Sequence, residues 1–309
     1  MPDTKAQHPQ GGLKAWLTSD TPTSRLQARA VQVYLASLDF VRNPLTVTGL
    51  AIVLGLLLVA LFAPFIATHD PFAQVLDDRL LPPGEKGYIF GTDELGRDIF
   101  SRIVYGSRIT LMIVAIIAVI APTVGLIVGT LAGYLGGWVD VVLMRITDIF
   151  LAFPRLVLAL AFVAVLPRGV ENAILAIAIT SWSPYARIAR AETLTVRRAD
   201  YIAAIQIQGA SSFRIIRGHI VPMCLSSVII RMTLDMAGVI LIAAGLGFLG
   251  LGAPPPTPEW GAMVSAGRKV LLDHWWVATL PGLAIGIVSL AFNLLGDGLR
   301  DLLDPRSGG

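Results

Sequence analysis

The sequence predicts an all-α fold: a polytopic membrane protein with six transmembrane helices and an N-terminal interfacial helix. Three observations carry this. Of 309 residues, 55% are hydrophobic and only 15% charged, where soluble domains carry about a quarter. Apolar runs long enough to cross about 30 Å of hydrocarbon recur near 45–66, 108–132, 141–166, 172–190, 223–247 and 277–298. The Lys and Arg residues also divide unevenly among the segments that join those runs.

Taken in order, residues 1–43 form an N-terminal segment expected on the cytoplasmic side, polar and Pro/Gly-rich over 1–24. Over 25–42, Leu26, Ala30, Tyr34, Leu38 and Val41 share one helical face, which predicts a helix lying in the membrane interface. The first apolar run is too long for a secretory h-region and reads as an uncleaved span. The transmembrane domain fills 44–306, and Trp182, Ser183 and Pro184 interrupt its fourth run. With the N-terminus inside, fourteen of the 24 Lys and Arg residues fall on the cytoplasmic side and eight opposite, with Arg155 and Arg231 in or near spans. The joining segment 67–107 also offsets its basic residues with seven Asp and Glu, from Asp70 to Asp98. Both termini are therefore expected inside.

Several chemistries are excluded. Residues 91–98, GTDELGRD, imitate the phosphate-binding loop G-x-x-x-x-G-K-[ST], but Arg97 and Asp98 replace the lysine and the magnesium-holding hydroxyl. A carboxylate there repels phosphate, and the segment is expected outside, where Arg97 and Arg102 would pair with nearby acids in a folded cap. Cys224 is the single cysteine, so no disulfide framework or thiolate cluster exists, and His8, His69, His219 and His274 lack metal-ligand spacing. No feature points to nucleic acid.

The internal loop 189–222 is organised. Residues 199–207 suit a helix with Tyr201, Ala204, Ile205 and Gln208 near one face. Gly209 breaks it, Ser211 and Ser212 cap a second helix beginning near Phe213, and Pro222 ends the unit. The small residues Ala203, Ala204, Gly209 and Ala210, with Phe213 as an anchor, suit docking of a cytoplasmic partner. Within the spans, spacing allows Arg145 to pair with Asp148 and Arg231 with Asp235, for structure or for contact with a charged substrate terminus. Asn293 and Asp297 near the last span leave the same two readings open. A proton-coupled carrier using Asp235 or Asp148 as a relay is the rival reading.

Ala203-Ala204-x4-Gly209-x12-Pro222 resembles the "EAA" loop of ATP-binding-cassette importer permeases, departing at Ala203, where a glutamate often stands, and at His219 and Val221. GTDELGRDIFSRIVYGSR (91–108), GFLGLGAPPPTPEWGAM (247–263) and AFNLLGDGLRDLLDPR (291–306) resemble the C-type permease subunit of dipeptide/oligopeptide importers. The likeness covers about 40–306. It implies half of a heterodimeric pore in the bacterial cytoplasmic (inner) membrane, working by alternating access with a B-type permease. It further implies two cytoplasmic ATPase subunits that hold ATP and Mg²⁺, and an extracytoplasmic substrate-binding protein. By resemblance, Ala203 to Gly209 form the coupling helix, and 91–108 and 250–276, with Arg97, Asp98, Arg102, Glu259 and Trp260, face the binding protein. Relatives of this subfamily also import glutathione, metal chelates, opines and oligosaccharides. The chain itself is expected to hold no cofactor or metal.

The failed phosphate loop yields a direct expectation. The purified chain, free of other subunits, should neither bind nor hydrolyse ATP, and saturable ATPase activity from it would refute this reading.

Overall fold

The computed structural model describes residues 42–303 and a few earlier positions (Trp16, Ser24, Leu26, Gln27, Ala28, Ala30, Val31 and Tyr34). The interfacial helix expected over 25–42 lies mostly outside the described residues. Among those described, all regular elements are helical, and the one β-bridge joins Thr92 to Asp98. The chain runs α1 (Pro44–Leu61), α2 (Ala63–Ile66), an irregular cap with two short 3₁₀ turns, and α3 (Ile99–Leu135). It continues through α4 (Gly137–Ala152), α5 (Arg155–Ala164), α6 (Val170–Ser181), α7 (Ser183–Arg197), α8 (Asp200–Ile207) and α9 (Ser212–Ile215). A π-turn (Ile216–Ile220) leads into α10 (Val221–Phe248), followed by α11 (Trp260–Gly267) and α12 (Trp276–Leu303).

Four helices are long and apolar enough to cross a membrane: Pro44–Leu61, Ile99–Leu135, the continuous Ser212–Phe248 and Trp276–Asp301. The pair α4–α5 would make a fifth, but it is bent by 94°. The cause is Pro154, which forces Phe153 into extended backbone (φ −97°, ψ 143°). The expected fourth span, 172–190, is two helices, α6 and α7, divided at Trp182 with Pro184 in the first turn of α7. Neither is long enough to cross alone. The six expected spans are thus four unbroken helices and two broken segments. The helix α3 begins within the joining segment 67–107, ahead of the apolar run at 108: Asp98 caps it by accepting from the Ser101 amide at 3.1 Å. At about 1.5 Å per residue, its 37 residues reach roughly 55 Å, so its first turns stand in the cap.

Contacts order the ends. Arg108 Nε donates to Ala60 O at 2.6 Å, which puts the end of α1 beside the cap. A Cβ on Gly298 would meet Thr46 Oγ1 at 2.0 Å, so the last turns of α12 lie beside the first turns of α1. The Cys224 thiol donates weakly to Ala189 O at 3.8 Å, placing the start of α10 at the end where α7 finishes. Pro44, Leu303 and the 198–220 loop therefore share one end, and the cap occupies the other.

Helices in lipid approach closely only where side chains are small. The seam between α3 and α7 is built this way. Cβ atoms on Gly125, Gly129 and Gly133 would fall 2.4 Å from Tyr185 Cβ, 2.3 Å from Ala186 O and 2.8 Å from Thr193 Cβ. Large exposed apolar side chains such as Val119 (67%) and Leu290 (56%) lie on outward faces that call for lipid or a partner subunit.

Gly129→Leu should lower the unfolding midpoint in detergent by several degrees, because overpacking costs about 1–3 kcal/mol even where neighbours can shift. Gly55→Leu, at a position with nothing within 4 Å, should not. Equal midpoints for the two variants would show that the α3–α7 seam does not limit stability.

Candidate functional site

At the loop end, α8 and α9 form a hairpin-like projection. Gly209 sits at φ +83°, a left-handed conformation that ordinary residues adopt only with strain. Ser211 caps α9 by accepting from the Arg214 amide at 3.4 Å. Ile202, Ile215 and Ile220 are fully buried and pack with Tyr134, Val196 and Cys224, so the projection rests on the ends of α3, α7 and α10. Its buried face is Ile202 with half-buried Ile205, while Tyr201, Ala204 and Gln208, expected beside Ile205, are exposed. The outward surface carries Ala203, Ala204, Ile207 (88% exposed) and Phe213 (72%), with Ala210 half-buried at the turn. Pro222 does not end the unit. It lies in the first turn of α10, where a missing amide costs little, and the helix runs on from Ser212 to Phe248.

Deeper in the bundle, Asp235 gathers three elements. Arg155 Nη1, from the first turn of α5, lies 2.9 Å from Asp235 Oδ1. The Tyr185 hydroxyl on α7 donates to Oδ2 at 3.1 Å. Arg231, the partner expected from its four-residue spacing, is farther, with Nη2 at 3.8 Å. In the sequence Arg155 stands out only as a charge in or near a span, just after Pro154, and Tyr185 only by the Trp182-Ser183-Pro184 break before it.

The expected Arg145–Asp148 pair is absent. Asp148 binds Arg187 Nη2 at 2.6 Å, and Asp140 takes Arg190 through two bonds of 2.5 and 2.6 Å. Arg145 is exposed and makes no ion pair among the described residues. Both acids of α4 reach across to α7 because α7 packs alongside it and brings Arg187 and Arg190 within bonding distance.

The cap explains the phosphate-loop likeness. Gly91 (φ +74°) and Gly96 (φ +71°) are required by left-handed turns, and a Cβ on Gly96 would lie 1.8 Å from Val75 O. The amides that would cradle phosphate are already occupied, since Asp93 Oδ1 accepts from Leu95 N at 2.9 Å and from Arg97 N at 3.1 Å. Asp93 Oδ2 takes Arg97 Nε at 2.7 Å and lies 3.8 Å from Arg102 Nε, so the expected pairing of both arginines is present. Arg102 Nη1 also donates to Pro71 O at 2.9 Å and Pro256 O at 3.2 Å, tying the two cap segments together.

Glu259 caps α11 through the amides of Gly261 and Ala262, both at 2.8 Å, and Trp260 Nε1 donates to Ile103 O at 3.0 Å. Burial pushes the Glu259 carboxyl above its usual range, against the pull of those two amides. The residues expected to face a binding protein are thus interior. Asp98, Arg102, Glu259 and Trp260 are at most 6% exposed, and the Arg97 side chain is 11% exposed. They shape the cap from within rather than forming its contact surface.

Residues 125–308 match the family described as binding-protein-dependent transport system inner membrane component, and residues 34–83 match the N-terminal TM domain of oligopeptide transport permease C. The chain is 47% identical over 267 residues to a probable D,D-dipeptide transport system permease protein of Escherichia coli K12, covering 86% of this chain and 89% of that one. It is 43% identical to a di/tripeptide transport system permease protein of Pseudomonas aeruginosa, covering 87% and 90% of the two chains. It is 41% identical to a dipeptide transport system permease protein of Haemophilus influenzae, covering 93% and 99%.

The geometry around Asp235 makes a testable ranking. Removing one member of a buried ion pair costs about 3–5 kcal/mol, so Arg155→Ala and Asp235→Ala should each sharply reduce folded protein, and the double replacement should recover part of the loss. The Arg231→Ala/Asp235→Ala pair should recover less. Equal recovery in yields measured by size-exclusion chromatography would put Arg231 on a par with Arg155.

Proposed function

Because the chain belongs to the family of binding-protein-dependent transport system inner membrane components, we propose that it is one half of a heterodimeric, ATP-driven importer of peptides. The second half is a B-type permease. Two ATPase subunits carry ATP and Mg²⁺ at the loop end, which is the cytoplasmic side, and both termini lie on that side. A substrate-binding protein delivers its load to the cap at the other end. The peptide assignment draws on the three relatives named above, whose names specify D,D-dipeptides, di/tripeptides and dipeptides.

One observation carries the coupling role of the loop. The α8–Gly209–α9 projection presents exposed Ala203, Ala204, Ile207 and Phe213 while its buried isoleucines rest on three long elements. Small residues let a partner's surface approach the backbone, and Phe213 supplies an apolar anchor. A displacement imposed here moves α7 and α10 together, which is the kind of packed, two-state element that alternating access requires.

Gly209→Val should leave membrane insertion and pairing with the second permease intact. It strains a left-handed turn by about 1 kcal/mol or more, and should loosen ATPase attachment or uncouple hydrolysis from uptake. Phe213→Ala should do the same more mildly. Subunit stoichiometry on co-purification and peptide uptake in proteoliposomes measure both effects. Wild-type stoichiometry together with wild-type uptake in Gly209→Val would remove the coupling role from this loop.

A further inference from the structure

We infer that Arg231, at the edge of the Arg155–Tyr185–Asp235 cluster, is a subsite for the free carboxylate of the transported solute. This rests on the import reading above and adds to it a residue that reads substrate charge inside the membrane-spanning body.

The cluster is unbalanced. Arg155 at 2.9 Å and the Tyr185 hydroxyl at 3.1 Å already satisfy both oxygens of Asp235. Arg231 Nη2, at 3.8 Å, is beyond hydrogen-bond length. Neither guanidinium makes an ion pair with any other acid among the described residues, so two cations face one carboxylate. Glu192, the one acid on α7, forms no ion pair with either arginine and accepts from the Ser227 hydroxyl at 2.7 Å. Arg231 Nε is buried without a hydrogen-bond partner, while the side chain as a whole is 40% exposed. A cation so placed holds donors in reserve.

A cluster with net positive charge at membrane depth is expensive to keep and marks a functional position. The guanidinium fork matches a carboxylate in shape and charge. Asp235 draws on the same positive charge and so limits how tightly an incoming anion is held, which suits a site that must release what it captures. There is room beside the cluster. At Gly238, one turn beyond Asp235, the nearest atom to an added Cβ would be Arg155 Nη1, at 4.0 Å. The other claimant for Arg231 is a carboxylate of the second permease subunit.

In the assembled importer, Arg231→Gln should cut uptake of a free-acid dipeptide about tenfold. Arg231→Lys should retain most of it, and both should keep wild-type subunit stoichiometry. Uptake within about twofold of wild type in Arg231→Gln overturns the assignment. So does loss of the second permease from that complex, which would make Arg231 an intersubunit contact. A second measurement is independent of the solute. In a Cys224→Ser background, Gly238→Cys should react faster with an anionic than with a cationic thiol reagent. Arg231→Gln should slow the anionic reagent about tenfold and speed the cationic one about tenfold, the effect on each of one charge at roughly 10 Å with an effective dielectric of about 20. An unreactive thiol, or a preference indifferent to Arg231→Gln, overturns the subsite. If the wild-type complex moves no dipeptide while the thiol result holds, the peptide reading fails and the carboxylate subsite stands.

Discussion

The backbone-to-backbone approach of α3 and α7 is the constraint on which the rest of the structure depends. In lipid there is no hydrophobic force to drive two helices together, and close dispersion contact must do it. Three glycines one turn apart on α3, Gly125, Gly129 and Gly133, bring that contact within reach. The helix they hold, α7, is too short to cross a membrane alone, and its register along α3 decides where its side chains go. Tyr185 meets Asp235, Arg190 meets Asp140, and Arg197 lies over the Tyr134 ring at 5.8 Å. One seam therefore positions both the intramembrane cluster and the floor of the docking loop.

That seam also links the two regions mechanically. Thr193, one turn before Val196, lies against Gly133 on one side and 3.6 Å from the Cys224 sulfur on the other. Val196 and Cys224 belong to the same buried cluster as Ile202, Ile215 and Ile220 of the loop. Close-packed interiors transmit displacement rather than absorbing it. In the proposed importer, a movement imposed on α8 reaches α7 and α10 directly, and through Tyr185 and Asp235 it reaches the bend at Pro154.

The cap shows a different economy of charge. The segment 91–108 reads as folded because its acids and arginines alternate, and Asp93 does bind Arg97 and approach Arg102. The likeness to a phosphate loop came from glycines that serve left-handed turns, and a side-chain carboxylate takes the place that phosphate would occupy. The expectation that Asp98, Arg102, Glu259 and Trp260 face a partner did not survive the fold. Burial depends on what returns from elsewhere in the chain, here the 248–260 segment closing over α3.

The sequence by itself determined the helical membrane class, the family motifs, the cap, and the helix–glycine–helix loop with its Ser211 cap. These depend on composition, periodicity and local backbone chemistry, all of which act over a few residues. Tertiary structure decided how the third run crosses, because a bend of 94° at Pro154 interrupts a run whose hydropathy is continuous, whereas the division at Trp182 falls where the sequence already marks an interruption. It also decided the ion pairs. Spacing of three or four residues points to Arg145–Asp148 and Arg231–Asp235, whereas Asp148 binds Arg187, and Asp235, though within 3.8 Å of Arg231, is bound more closely by Arg155. The physical reason is that a carboxylate inside a bundle is satisfied by whichever donor helix packing brings nearest in space, and sequence separation does not measure that distance.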